Sequence, residues 1–296
     1  MRPSISLEKA LLLEDFPSGS SIEYFNNQLY LIGDDAKHLL ILNKNYERVD
    51  SVMLFEGTDK RIAKAEKADF EASVIMGAGE AARMLIFGSA STPLRKKIAQ
   101  FTINKAAETL HIIDTSAFFD RLQDSISIIN IEGAAVINEL LVLANRANAG
   151  NPVNNLIITI AAMSNAPETT AFRLSTLALP TDKNVVGVSG LTYIAEADIL
   201  LFTASTEFTA TAYSDGKIGD SYIGWIKNAT ARLTEGLIKP DGFINLAISN
   251  HAFLQEKIES VCLENFSKNI AILHLISDND NGQSRLFKIK LQLDNL

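Results

Sequence analysis

The chain is 296 residues long and carries 27 Lys and Arg against 35 Asp and Glu, a formal charge of −8. That balance argues against a general nucleic-acid binder, which presents a basic face, and no run of about 18 apolar residues exists to span a bilayer. Hydrophobic residues make up 47%, enough for a large core.

The N-terminus, MRPSISLEKALLLEDF, places acids inside its apolar part and has no small-residue cleavage site. It does not read as a signal peptide, so a cytoplasmic location is expected. Residues 5–13 within it read as a strand with no obvious partner nearby. The first unit then has strands at 22–25 and 28–32 joined by Asn26-Asn27, and the loop Gly33-Asp34-Asp35. Strands at 38–42 and 48–54 complete it. Short β-rich runs punctuated by Asn, Asp and Gly are the pattern of antiparallel meanders.

The second unit opens at Phe70-Glu71-Ala72 and continues through 83–87, 98–103 and 109–113, followed by TSAFFDRL at 115–122, a helix that Thr115 or Ser116 can cap. The third unit opens at 131–146, IEGAAVINELLVLANR: a strand, a turn at Asn138, and a second strand ending in Asn145 and Arg146. Its outer strands are 156–160 and 172–177. In the fourth, strands at 199–203 and 222–226 are clear, whereas either 231–238 or 243–248 serves as the outer one. The fifth has strands at 258–263, 270–275 and 284–291, and then the chain is almost finished. Its single cysteine, Cys262, excludes an intrachain disulfide and a multi-thiolate metal site. In the apolar run IESVCL it reads as a small buried hydrophobe.

Five unit starts look alike: Ile22-Glu23-Tyr24, Phe70-Glu71-Ala72, Ile131-Glu132-Gly133, Val188-Ser189-Gly190 and Ile258-Glu259-Ser260. Each interval is near that of a four-stranded propeller blade with a loop, about 40–50 residues. The fold expected is all-β, one closed β-propeller domain over residues 1–296. Five blades follow from the count of starts, or six if the interval from Ser189 to Glu259 hides another. The N-terminal strand completes the last blade and hides two sheet edges.

In a propeller the innermost strands line the central channel, so Glu23, Glu71, Glu132, Ser189 and Glu259 are expected near its mouth. Carboxylates that close need a cation among them, and Arg61, Lys64, Lys67, Arg146 and Lys257 are the candidates. The second strands end in Asp34 and Asp35, Ser89 and Ser91, Asn145 and Arg146, Ser205 and Glu207, Asp278 and Asp280, all on one face of the disc. The expected binding set is Lys64, Lys67, Glu71, Glu132, Asn145, Arg146, Glu207, Lys257 and Glu259. It suits a small anionic or sugar-like ligand, with or without Ca²⁺ or Mg²⁺ held by Glu71, Glu132 and Glu259. The competing expectation is that these glutamates accept backbone N–H bonds and pin neighbouring blades together.

Other chemistry is poorly represented. Aligning Gly282 with the glycine of a calcium loop puts Lys288 where the bidentate Glu belongs, so Asp278–Gly282 is an Asx-rich turn. There is no G-x-S-x-G elbow, P-loop or H-E-x-x-H, and His38, His111, His251 and His274 share no ligand spacing. Trp225 reads as a blade-packing aromatic.

Lys67-Ala-Asp-Phe-Glu71, Ile131-Glu-Gly133 with Asn145-Arg146, Ser205-Thr-Glu207 followed by Tyr213-Ser-Asp-Gly216, and Ser277-Asp-Asn-Asp280 with Leu286-Phe287 resemble phytase-like and esterase-like propeller proteins. The chain is more similar still to an uncharacterised bacterial propeller family of the same size, a domain of unknown function. The resemblance implies a propeller with a polar central face, and phosphoester chemistry more loosely; the dense acidic calcium cluster of the calcium-dependent phytases has no counterpart here. Two main functions follow. One is a propeller that binds a small molecule. The other is a metal-assisted hydrolase in which Glu71, Glu132 and Glu259 hold the cation while Arg146 and Lys67 stabilise developing negative charge. A protein-interaction scaffold is third. Neither nucleic acid nor membrane is an expected partner, and the oligomeric state is open.

Overall fold

A computed structural model describes residues 3–56, 61–103, 110–180, 184–207, 218–279 and 282–294, with only the backbone of Glu207. The first strand, β1 (Ser4–Leu13), stands alone in sequence. Blade one follows as β2 (Gly19–Phe25), β3 (Gln28–Gly33), β4 (His38–Asn43) and β5 (Arg48–Met53). Asn26 and Asn27 both have positive φ, 50° and 61°, as a two-residue type I′ hairpin requires. Blade two is β6 (Phe70–Met76), β7 (Arg83–Gly88), β8 (Lys97–Thr102) and β9 (His111–Asp114), with α1 (Ser116–Gln123) after it. Blade three is β10 (Ile131–Ile137), β11 (Leu140–Asn145), β12 (Asn154–Ile160) and β13 (Arg173–Leu177).

Blade four begins with β14 (Val186–Ile194), β15 (Ile199–Glu207) and β16 (Ile218–Lys227). A short helix α2 (Ala229–Arg232) and the two-residue β17 (Leu237–Ile238) intervene before β18 (Gly242–Asn245) and α3 (Leu246–Ser249). Of the two outer strands the sequence offered, 243–248 is strand only as far as Asn245, in β18, and 231–238 is mainly the end of α2 and a turn, with only β17 as strand. β18 pairs with β16 as the blade's own edge, whereas β17 leaves it and pairs in parallel with β13 of blade three. Blade five is β19 (Ile258–Ser267), β20 (Ile270–Asp278) and β21 (Ser284–Gln292). β1 returns as its fourth strand, antiparallel to β21 from Ser4 opposite Gln292 to Leu13 opposite Ser284. The ring therefore has five blades rather than six, closed by the N-terminal strand as its sequence position suggests.

The inner strands β2, β6, β10, β14 and β19 touch one another in a circle. The apolar core lies between blades. Second strands are buried along almost their whole length because they are covered on both sides, which is why Leu141, Val142, Leu143 and Ala144 read as one continuous apolar run. The helix α1 carries Phe118, Phe119 and Leu122 into the seam between blades two and three. Trp225 packs into the seam between blades four and five, as expected of a blade-packing aromatic. No helix among the described residues is long and apolar enough to cross a membrane.

Candidate functional site: a ring of bulges around the channel mouth

Each inner strand breaks register at the same place relative to its partner, and β19 does so a second time, between Leu263 and Asn265. The shared shifts fall between Gly19 and Ser21, Phe70 and Ala72, Ile131 and Gly133, Val188 and Gly190, and Ile258 and Ser260. A β-bulge leaves one extra residue unpaired and re-aims it. The five extra residues are Ser20, Glu71, Glu132, Ser189 and Glu259. Four of these are the positions aligned from sequence. The fifth is not: blade one contributes Ser20, and Glu23 lies one turn of the pleat deeper, where Ser73 Oγ is 3.5 Å from its carboxylate. The shared signature is a Ser or Glu followed by a small residue (Ser21, Ala72, Gly133, Gly190 and Ser260), a rule that Tyr24 after Glu23 breaks. Burial pushes the Glu23 carboxyl well above the usual carboxylate range, and the Ser73 hydroxyl only partly offsets this.

The serines and glutamates do different work. Ser20 Oγ donates to the carbonyl of Phe70 at 2.5 Å, and Ser189 Oγ to that of Ile258 at 2.6 Å. Each acceptor precedes the next bulged glutamate around the ring, so the serines pin blade to blade. The glutamates face charges instead. Arg146, only 5% exposed, projects from the end of β11 towards Glu132 (3.7 Å) in its own blade and Glu259 (3.5 Å) in blade five, and donates to Ser205 Oγ at 2.9 Å. Blade four, lying between, leaves room for it. A Cβ on Gly187 would stand 2.5 Å from the Arg146 side chain. Lys257 adds a second cation to Glu259 at 2.8 Å.

Across the mouth, blades one and two bring together residues from the loops before β6 and after β3. Asp34, Asp69 and Glu71 each offer a carboxylate oxygen within 4.8 Å of the others. Lys67 pairs with Asp34 and, at 2.8 Å, with Asp69. Asp69 also takes Arg95 at 2.6 Å and the Ser89 hydroxyl at 2.5 Å. Arg61 binds Asp35 at 2.7 Å and Ser18 Oγ at 3.1 Å. One oxygen of Asp34, Oδ1, is buried without a hydrogen-bond partner among the described residues.

Titration follows from this crowding. Burial first, then Asp69, Glu132 and Asp34, raise the Glu71 carboxyl well above its usual range against the pull of Lys67. Burial also pushes Asp34 up to about 6, with Asp35 and Asp69 adding to it and Lys67 opposing. For Lys67 burial acts downwards, but Asp34, Glu71 and Asp69 outweigh it and hold the ammonium charged beyond the usual lysine range. Its positive charge is the counterion of the trio.

The residues expected from sequence thus separate. Lys67, Glu71, Glu132, Arg146, Lys257 and Glu259 converge at the mouth. Asn145 does not face it: fully buried, it accepts from the Asn130 backbone N–H at 2.6 Å and donates to the Ile128 carbonyl at 3.2 Å, holding the chain that enters β10. Lys64 is exposed on the loop before β6, and its carbonyl accepts from Arg95 at 3.5 Å. Glu207 ends β15 with its side chain outside the described residues, as are Tyr213–Gly216 and Asp280. The expected metal trio Glu71, Glu132 and Glu259 is split, because Arg146 stands among the last two. The carboxylates that do cluster with Glu71 are Asp34 and Asp69. Asp34 was legible as a second-strand end; Asp69, two residues before a bulge, carried a signal only in the K-A-D-F-E run.

The fold is shared with known structures. Over 99% of both chains it resembles the glutaminyl cyclase of Myxococcus xanthus, with a TM-score of 0.53 and 10% sequence identity. It also matches a tail fibre of Staphylococcus aureus phage P68, with a TM-score of 0.50 and 11% identity over 99% of this chain and 53% of that one. No curated protein sequence matches it significantly. The family model that fits residues 15–291 is that of DUF6929, a family of unknown function, and the chain belongs to it.

Proposed function

We propose that this propeller binds a small, hydroxyl-rich, sugar-like molecule at the central mouth, using the carboxylates of Glu71 and Asp34 as hydrogen-bond acceptors. The observation that carries this reading is the pairing of the cations. Lys67 faces Asp34 and Asp69, Arg95 faces Asp69, Arg146 faces Glu132 and Glu259, and Lys257 faces Glu259. An anion entering there meets cations already committed to carboxylates and pays desolvation against them. A neutral polyol meets the partly exposed carboxyl groups of Asp34 and Glu71 as acceptors. Sugar-like ligands are therefore favoured over anionic ones.

Thermal shift tests it, because binding to the native state raises the melting temperature by mass action. Neutral monosaccharides and polyols at millimolar concentration are expected to stabilise the protein, and Glu71→Gln to lose most of the shift. Stabilisation by phosphorylated sugars alone, or by neither class, overturns the proposal.

The second reading, a metal-assisted phosphoester or ester hydrolase, is favoured by the spacing of Asp34, Asp69 and Glu71. Oxygen donors of this kind suit Ca²⁺ or Mg²⁺, and the similarity to an enzyme of the same fold, the glutaminyl cyclase, is compatible with it. Against it stands Lys67, whose ammonium a divalent ion must displace. Chelator-sensitive turnover of p-nitrophenyl phosphate, lost in Asp34→Asn and Glu71→Gln, is its signature. Turnover indifferent to chelator and to both substitutions removes it.

A further inference from the structure

At the seam where β1 closes the ring, the segment after β1 runs alongside blade one. Between β1 and blade one lies a cleft of about 770 Å³, within the range of small-molecule sites. Its apolar lining comes from Leu13, Phe16, Leu40, Leu42 and Tyr46. Alternation along β4 puts Leu40 and Leu42 on this face, while Leu39 and Ile41 pack towards blade two. On β5 a register shift makes Arg48 the partner of Leu42 and Ser51 that of Leu40. The bulge turns Arg48 to the cleft side. There the exposed guanidinium reaches Ser51 Oγ at 3.3 Å.

Tyr46 is fixed from beneath. Its hydroxyl lies 2.8 Å from His274 Nδ1, and His274 Nε2 lies 2.8 Å from Glu264, which Lys288 also binds at 2.6 Å. Burial lowers His274 to about 4, so the ring is neutral near pH 7. Lys288 and His274 outweigh burial and keep Glu264 ionised, so Nε2–H donates to the carboxylate and Nδ1 accepts from the tyrosine. Tyr46 also sits at φ 67°, a conformation bulky residues adopt only when their surroundings over-determine them. Lys9 Nζ stands 5.0 Å from the centre of its ring.

The charges define polarity. At the Pro17 end, Glu14 and Asp15 accompany Lys37 and His38. At the Tyr46 end the lining charge is Arg48, with Lys9 beside it. Glu47, next in sequence, takes the Asn43 side-chain amide at 2.7 Å, and Asp50 lies opposite Ile41, on the other face of the sheet. From His38 to Leu42 the strand runs about 13 Å, the length of a medium-chain acyl group or a fused aromatic ring system.

We infer that this cleft is a second ligand site, separate from the central mouth, and that it takes a small organic anion with an apolar body: the acidic head at Arg48, the body along Leu42, Leu40 and Phe16 over the Tyr46 ring.

The probe is 8-anilinonaphthalene-1-sulfonate, read by fluorescence on the folded protein, with sodium octanoate as competitor. One saturable site per chain is expected, displaced by octanoate. Arg48→Glu, on an exposed residue, is expected to weaken it about tenfold, the scale of one charge contact. Ser51→Glu is a second route to the same loss if Arg48→Glu melts early. The charge-matched Lys239→Glu, on the exposed surface of blade four, leaves binding unchanged. Absence of saturable enhancement, failure of octanoate to compete, or equal binding by both cleft variants overturns the inference.

Discussion

The two halves of the channel mouth are built on the same backbone device and end in opposite electrostatic states. Glu71 on one side and Glu259 on the other occupy equivalent bulges. Glu259 is bracketed by Arg146 and Lys257. Glu71 instead meets Asp69, Glu132 and Asp34, with Lys67 as the opposing charge. Equivalent geometry therefore says nothing about equivalent charge, because what neighbours a bulge comes from loops that differ between blades. The arginine half is a closed structural bridge. The carboxylate half gathers Asp34, Asp69 and Glu71 with carboxylate oxygens within 4.8 Å of one another.

The largest effect should come from breaking the bridge. Arg146→Met leaves Glu132 and Glu259 without that counterion at a buried site, and a loss of about 3–5 kcal/mol in urea unfolding is expected. A loss below about 1 kcal/mol would show that the bridge contributes as little as a surface pair.

Next in size is a pH effect that must be separated before the halves are compared. His274 has its folded value lowered from 6.5 to about 4 by burial. Between those values the unfolded chain takes up a proton that the native state refuses, so stability falls as pH drops from about 6.5 towards 4, by about 3 kcal/mol. His274→Asn should flatten this acid limb in chemical denaturation at several pH values. Glu71 acts with the opposite sign. Its raised value means that the native state holds a proton the unfolded chain releases, so its contribution is full at acid pH and is lost as pH rises through its native value. Glu71→Gln should remove that alkaline loss.

The sharpest comparison is the same substitution in both halves. At pH 7, Glu259→Gln is expected to destabilise by about 1–3 kcal/mol, since it removes the buried carboxylate charge that Arg146 and Lys257 share. Glu71→Gln removes a carboxyl whose ionisation burial and its acidic neighbours oppose, and should stabilise by about 0.5–1 kcal/mol, the scale of charge optimisation. Equal signs would erase the distinction. The smallest effect tests the counterion. Lys67→Met vacates the trio, and millimolar Ca²⁺, which should shift the wild-type melting temperature little, should raise that of the variant by a few degrees.

What the sequence determined by itself was local. Asn-rich hairpins, alternating or continuous apolar strands, and five Ser-or-Glu starts are written in adjacent residues, and an unpaired first strand facing an incomplete last blade made closure the economical reading. Glu71, Glu132, Lys257 and Glu259 were legible at the mouth because they sit on or beside those starts, and Arg146 because it ends a second strand. Tertiary structure decided the rest. Ser20 replaced Glu23 because a bulge is defined by the partner strand, which a single strand does not reveal. Arg146 bridges two blades because Gly187 clears its path. Asp34 and Asp69, 35 positions apart in the sequence, meet only once blades one and two are packed. Charge state at the mouth is a property of neighbours brought together by folding, and those neighbours come from loops whose lengths carry no repeat.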